Sequence, residues 1–455
     1  MTKILATIGP ASEDVSSLKS IAKHTNLFRL NGSHNEISWH KSTIKKIRQI
    51  CPDAFILLDI PGIKPRTNNN EKIIINENQE ILFGNSNTNK HYLSIELTKP
   101  LPKFDNNIKT FSINDGQYFF DVIEHGNDFI VGKSRSQFSL LPKKGVNLPY
   151  SIYNENEQFE TYLKFIEKII NFDIDGLGLS FVQTGKIVSE IRKIVPQLVL
   201  ISKIENSEGL NNCSQIISKS DAIMIDRGDL AAEIGLLDLY NSIEIISYET
   251  KKFGKPLIMA TENVESMINR ELPSKSDVMS IVHSISIGSD CIMLSEETAT
   301  AKNGLEILAW LRNFVSSMKP INNTKFVNPS KKDIYSIWNL VKKIPNMPIV
   351  IMTKSGYALF EFMSIKTNTS LILVTTNKKI INISKLFANK INVLYSTVAT
   401  NTPIETLWKV VNENKTVIFK ESKKIAAIFV SKYVTGARAN CITFLDKKDF
   451  FSSNK

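Results

Sequence analysis

Cations and carboxylates recur in this chain at one kind of place, just past short apolar runs. NLFRLN ends with Arg29 and Asn31, with Ser33 and His34 behind them, and AFILLDI carries Asp59 at its end, with Lys64 and Arg66 beyond. LVLISKI leads through Lys203 to Glu205, and DAIMIDR leads to Arg227, Gly228 and Asp229. PLIMAT ends in Thr261 with Glu262 next, and DCIMLS ends in Ser295 with Glu296 and Glu297 next. Glu205 and Asp229, on neighbouring strands, can share a hard divalent cation, Mg2+ or Mn2+, which takes its other ligands from water and substrate oxygens. Arg29 and Lys203 could then balance a phosphoryl group. Phosphoryl transfer depends mainly on positioning and charge neutralisation, so a metal, an Arg and a Lys form a sufficient set. Taken alone, Lys203 and Glu205 could equally be an ion pair at a rim; six strand ends of the same character argue for a site.

The elements that position these residues follow from the apolar pattern. Eight runs, KILATIG, NLFRLN, AFILLDI, DGLGLSFV, LVLISKI, DAIMIDR, PLIMAT and DCIMLS, are nearly continuous rather than alternating, as in a parallel sheet covered on its outer face. EISWHKSTIKKIRQI and NEQFETYLKFIEKII space their apolar residues three and four apart, as amphipathic helices do. Eight strand–helix units predict a (β/α)8 TIM barrel, whose active sites lie at the C-terminal strand ends. Residues 1–68 and 152–320 supply the barrel. Residues 69–151 hold IIIN, EILFG, KTFSI, QYFFDVI, DFIVG and SQFSLL between Asn-, Gly- and Lys-rich turns. They read as a small all-β lid inserted in a βα loop. INNTKFVNPSKKD reads as a linker into a C-terminal α/β domain, 321–455, with strands MPIVIMT, SLILVTT, INVLYS, KIAAIFV and NCITFL.

Composition excludes some classes. Hydrophobic content is 42% and charged content 22%, ordinary for a globular chain, and no apolar run is long enough to span a bilayer. The start lacks a signal-peptide pattern, so a cytoplasmic protein is expected. Cys51, Cys213, Cys291 and Cys441 are far apart, with no CxxC pair, and read as reduced, mostly buried thiols. The net charge is +11, but its lysines are spread along the chain, so a nucleic-acid patch is not expected. GLGLSF lacks the third glycine of a dinucleotide fingerprint, and no GxxxxGK[ST] loop is present.

KILATIGPAS, FRLNGSH, SKIENSEG, IMIDRGDL, ATENVESMI and CIMLSEETA resemble, in order, the signature segments of pyruvate kinases. INDG and KKGVNLP resemble the family's lid, which implies a small β-barrel there. The resemblance implies transfer of a phosphoryl group from phosphoenolpyruvate to ADP, giving pyruvate and ATP in glycolysis through a Mg2+-stabilised enolate, and a homo-oligomer, a tetramer in the family. It makes Arg29 the phosphate-binding arginine and Lys203 the lysine that bridges the phosphoryl group and stabilises the enolate. Glu205 and Asp229 become the divalent-metal ligands, and the Gly228 and Asp229 N–H groups a seat for the pyruvate carboxylate. Thr261 helps a water chain protonate the enolate, and Ser295 lies on that path. Asn31, Ser33 and Asp59 match the monovalent-cation shell, while His34 and Arg66 lie where the family contacts nucleotide. Asp115-Gly116, which alone reads as a hairpin turn, becomes a nucleotide- or metal-side group after lid closure. Lys64 stands where K+-requiring members carry Glu and Ile60 where they carry Thr; the resemblance implies that K+ is not required. TKSGYA, with Thr353, Lys354 and Ser355, and the adjacent TGARAN resemble the family's sugar-phosphate effector loops, although any strand-to-helix turn can look the same.

Several neighbours of these motifs depart from the family. Asp226 replaces an Ala before RGD, and Ala231 replaces a Gly. Glu262 and Asn263 replace Gln and Met, Ser280 and His283 replace Asp and Asn, and Glu296 replaces a Gly. They leave open a divergent barrel enzyme acting on another enolpyruvate or 2-oxo acid. A non-catalytic barrel that binds phosphorylated metabolites is the third reading; retention of Lys203, Glu205 and Asp229 speaks against it.

Overall fold

The computed structural model describes residues 1–84, 92–318, 339, 341, 343–344, 347–365, 369–389, 391–396, 402–420, 422–430 and 440–451. The expected linker and most of TGARAN lie outside the described residues. Eight parallel strands close into a barrel: Lys3–Thr7, Leu27–Asn31, Phe55–Ile60, Gly176–Leu179, Val199–Ile204, Ala222–Asp226, Leu257–Ala260 and Cys291–Leu294, each paired with its sequence neighbours and the last with the first. Phe55–Ile60 and Val199–Ile204 are buried along their whole length, because helices cover the outside while side chains fill the inside. The helices Ile37–Ile50 and Glu155–Ile169 bury one stripe each, Ile44 and Ile47 in the first, Tyr162, Ile166 and Ile169 in the second.

Between the third and fourth barrel strands lies the inserted β unit. Its six-stranded sheet runs in the order Val146–Asn147, Thr110–Ile113, Tyr118–His125, Phe129–Ser134, Glu80–Gly84 and Leu93–Ile95, and Ile73–Ile75 pairs with Phe138–Leu140. The Phe83, Phe111 and Phe120 rings fill its own core, in edge-on and stacked contacts. The strands Leu93–Ile95 and Val146–Asn147 were not among those expected; they are three and two residues long, too short to show a period. The unit touches the barrel mouth where the Tyr150 N–H donates to Glu233 O at 3.1 Å.

In the C-terminal part all five expected strands form one sheet, in the order Ile391–Tyr395, Leu371–Thr375, Ile349–Met352, Lys424–Phe429 and Cys441–Asp446, the last antiparallel. Its residues Leu359, Ile383 and Phe387 share one apolar cluster with Leu5, Phe55, Met224 and Met293 from inside the barrel, so this part closes the barrel floor.

The floor carries a device repeated three times, on the aspartates that precede the fourth, sixth and eighth strands. Asp175 Oδ2 accepts from Ile56 N (2.9 Å), Asp221 Oδ2 from Leu200 N (2.9 Å) and Asp290 Oδ2 from Leu257 N (3.0 Å). The same oxygens pair with Arg48, Arg192 and Lys251, each in the last turn of the helix leading into the neighbouring strand. Each Oδ1 faces the C-terminal part: Asn382 Nδ2 donates to Asp175 (2.8 Å), Lys379 Nζ lies 3.6 Å from Asp221, and Ala388 N donates to Asp290 (3.1 Å). Among the described residues no helix is long and apolar enough to cross a membrane. All four cysteines are free thiols; Cys213 and Cys291 are buried, Cys51 and Cys441 half-buried.

Candidate active site

The C-terminal strand ends bring most of the expected residues together. Lys203, second from the end of its strand, is buried with its ammonium among three carboxylates: Glu205 Oε1 at 2.5 Å, Asp226 Oδ2 at 3.4 Å and Asp59 Oδ2 at 3.9 Å. Burial works against its charge, but Glu205, Asp226 and Asp59 outweigh that and hold its pKa above the usual lysine value. Asp59 is shared with Arg29, whose Nε donates to Oδ2 at 2.7 Å while its NH1 donates to Thr7 Oγ1 at 3.1 Å. Asp59 was expected in a monovalent-cation shell; here its carboxylate is shared by Arg29 and Lys203.

Glu205 is fully buried, and Phe181 N donates to its Oε2 at 2.6 Å. Burial pushes its pKa up to about 8 against the pull of Lys203, with Asp229 and Asp226 adding to the rise. Its Oε1 faces the ammonium without a hydrogen bond of acceptable geometry. One oxygen each of Glu205, Asp226 and Asp229 lie within 4.8 Å of one another. An all-carboxylate donor set with a poorly satisfied buried oxygen fits a hard divalent cation. Asp226 was noted from sequence only as a departure; the group of three has one more acid than expected.

Among the described residues, Lys64 makes no hydrogen bond or ion pair with Asn31 or Ser33. Its buried ammonium bridges Asp229 Oδ1 at 2.5 Å and the lid's Asp115 Oδ1 at 3.0 Å. Burial disfavours the Lys64 charge, and Asp229 and Asp115 more than restore it, so its pKa is raised. Asp229 is raised by burial, with Lys64 opposing and Asp226 adding to the shift, while Lys64 holds Asp115 low. Asp115 projects from a turn in which Asn114, Asp115 and Gly116 all have positive φ, of 58°, 54° and 84°. Only the glycine adopts that region freely.

Thr261 has φ +58° and Glu262 φ +50°, left-handed backbone that is an outlier for a β-branched residue. What holds it there is the segment 226–228. Thr261 Oγ1 lies 3.1 Å from Asp226 Oδ1, Gly228 N donates to that hydroxyl at 3.1 Å, and the Arg227 guanidinium donates to Thr261 O and, at 3.3 Å, to Ala260 O. The Gly228 N–H expected to meet a substrate carboxylate is thus directed at Thr261. Arg227 also donates to Ser280 and, at 3.0 Å, to Asn263 Oδ1, two of the departing positions. Ser295 is half-buried, its N–H donating to Glu297 Oε2 at 2.7 Å. Asn31 Oδ1 accepts from Ser33 N at 3.1 Å; Ser33 and His34 are exposed at the rim, and Arg66 NH1 donates to Lys143 O at 3.1 Å. Although the His34 side chain reaches solvent, partial desolvation by the surrounding rim, then Arg66 and Arg29, push its pKa down.

One buried acid escaped sequence reading. Glu233, one turn after Asp229 on the same helix, is fully buried and accepts from Tyr153 OH at 3.0 Å and Ser151 Oγ at 3.1 Å; burial raises its pKa to about 8. Its spacing of four from Asp229 was the available signal. Far from the mouth, Thr353 Oγ1 accepts from Gly356 N at 3.0 Å and Ser355 Oγ from Tyr357 N at 3.4 Å, so both hydroxyls turn in on the start of the helix Tyr357–Met363; Lys354 is exposed.

Comparison with known proteins agrees with this geometry. A family model described as "Pyruvate kinase, barrel domain" matches residues 1–307. A pyruvate kinase of Thermotoga maritima is 28% identical over 397 residues, covering 83% of this chain and 85% of the relative. One from Bacillus licheniformis is 29% identical over 401 residues (83% and 68%), and a cytosolic isozyme from Nicotiana tabacum 31% over 319 residues (66% and 62%). The closed barrel, the cation–carboxylate mouth and a match over two thirds of the sequence lead to one assignment: the chain belongs to the pyruvate kinase family.

Proposed function

We propose that the protein is an active pyruvate kinase that moves the phosphoryl group of phosphoenolpyruvate to ADP. The observation that carries this reading is the buried Lys203 ammonium among the carboxylates of Glu205, Asp226 and Asp59, the last shared with Arg29, at the barrel mouth. Arg29 binds and orients the phosphoryl group. Lys203 meets the charge that moves onto the enolate oxygen as the phosphoryl group leaves, and its three acid neighbours keep it protonated throughout. Glu205 and Asp229 would hold Mg2+ or Mn2+, which when bound would supply a further positive charge to the substrate oxygens. Thr261 and Ser295 order the water that gives the enolate carbon its proton. The lid (69–151), anchored through Asp115, excludes bulk water, and His34 and Arg66 face the nucleotide.

Lys64 supplies a fixed positive charge at the mouth, on Asp229 and Asp115, and K+ is not required. A cytoplasmic homo-oligomer acting in glycolysis, and an effector loop at Thr353, Lys354 and Ser355, complete the proposal. The test is pyruvate formation from phosphoenolpyruvate and ADP with Mg2+, read by a coupled assay. No turnover above a Lys203→Met control would refute it.

A further inference from the structure

Resting on the kinase reading, we infer that Asp226 is a positioning residue for Thr261, fixing the hydroxyl that serves the proton step. The family pattern has Ala before RGD, which offers no acceptor. Here Asp226 is 6% exposed and its two oxygens face different partners: Oδ2 lies 3.4 Å from Lys203 Nζ and Oδ1 3.1 Å from Thr261 Oγ1. Lys203 orients the carboxylate, and the carboxylate orients the threonine.

Three consecutive residues converge on Thr261. Asp226 and the Gly228 N–H fix its hydroxyl from two sides, and Arg227 fixes its carbonyl. The left-handed backbone at 261–262 is strained for these residue types and persists only where surroundings over-determine it. The hydroxyl has one proton and two acceptors in reach, Asp226 Oδ1 at 3.1 Å and Ala260 O at 2.8 Å. A carboxylate oxygen is a stronger acceptor than a peptide carbonyl. With Ala in its place, the proton falls to the Ala260 carbonyl, and the hydroxyl is held by that bond and the Gly228 N–H without the carboxylate.

The consequence concerns one half of the chemistry. Phosphoryl transfer uses Arg29 and Lys203; enolate protonation uses water ordered by Thr261. Run backwards, protonation is exchange at the pyruvate methyl group. A C–H bond breaks, its proton passes to water, the electron pair moves to the enolate oxygen, and a deuteron from D2O returns to carbon. Asp226→Ala should therefore slow methyl exchange far more than phosphoryl transfer. Ala is the family's own residue at this strand end, so the barrel tolerates it.

The experiment follows three readouts in the wild type and Asp226→Ala. They are deuterium uptake into the pyruvate methyl by NMR with Mg2+ and inorganic phosphate, ATP formation from phosphoenolpyruvate and ADP, and Mn2+ binding by electron paramagnetic resonance without substrate. The expected result is a loss of exchange at least about tenfold larger than any loss of ATP formation, with a smaller effect on Mn2+ affinity than on exchange. Thr261→Val should reproduce that pattern. An equal fall in exchange and ATP formation, or unchanged exchange, overturns the inference. A tenfold loss of Mn2+ affinity also overturns it, making Asp226 a donor to the ion. A wild type that forms no pyruvate and exchanges no deuterium removes the kinase reading itself, before any substitution is compared.

Discussion

Replacing Lys203 by Met keeps the length of the side chain and removes the charge. An ammonium about 4 Å from a developing anion, at an effective dielectric constant of about 20, is worth roughly 4 kcal/mol. Each ~1.4 kcal/mol is a factor of ten in rate, so turnover should fall by about a thousandfold. Arg29 remains to bind the phosphoryl group, and the lost charge matters most in the transition state, so the Michaelis constant should change little. The substitution also strips the partner from Glu205 at 2.5 Å and from Asp226 at 3.4 Å. Breaking a buried pair costs about 3–5 kcal/mol. A divalent ion that binds the exposed carboxylates offsets part of that cost by mass action. The variant should thus melt well below wild type in chelator and regain more stability from Mg2+ than wild type does. Steady-state kinetics and thermal melts with and without Mg2+ read both effects. Turnover within tenfold of wild type would refute the assignment.

Glu205→Gln or Asp229→Asn should raise the Mg2+ concentration for half-maximal activity by about tenfold or more with the fold intact by circular dichroism; unchanged Mg2+ dependence in either would show that the metal reading is misplaced. Replacing K+ by tetramethylammonium at constant ionic strength should leave the initial rate within about twofold, whereas Lys64→Glu should be slower and stimulated by K+; a tenfold drop for wild type on K+ removal would contradict the role given to Lys64. Burial raises the Glu233 pKa from 4.5 to about 8, so the folded chain binds the proton more tightly than the unfolded one. Stability from this group is full below about pH 4.5 and is lost as pH rises towards 8, by up to about 1.4 kcal/mol per pH unit. Glu233→Gln should flatten that decline in urea titrations at pH 5, 6.5 and 8, and parallel curves for the two proteins would count against a buried, protonated Glu233.

The barrel was legible because its strands are apolar on both faces and its chemistry sits at their ends; the eight runs and the observed strands coincide within a few residues. What stayed hidden depends on contacts across strands. Lys64 is 51 residues from Asp115 and 165 from Asp229, and nothing local to LLDIPGIKPRT points to either. Asp226 read as an odd charge beside RGD; that it spans Lys203 and Thr261 follows only from the parallel register, which sets Lys203 opposite Met224 and Asp226 opposite Ala260. The left-handed Thr261 carried no sequence signal, since β-branched residues rarely adopt that region.

The three aspartates of the barrel floor bear on how the chain folds as it is made. The last barrel helix ends at Ser317, whereas the groups that complete Asp175, Asp221 and Asp290 come from Lys379, Asn382 and Ala388. A nascent barrel therefore leaves the ribosome open at its base, with Phe55, Met224 and Met293 still wanting the cover of Leu359, Ile383 and Phe387. At about 5–20 residues per second, the roughly seventy residues from the last barrel helix to Ala388 take some seconds to synthesise. During that interval the half-finished protein presents an apolar floor ringed by partly satisfied acids, the stage at which it most needs a chaperone.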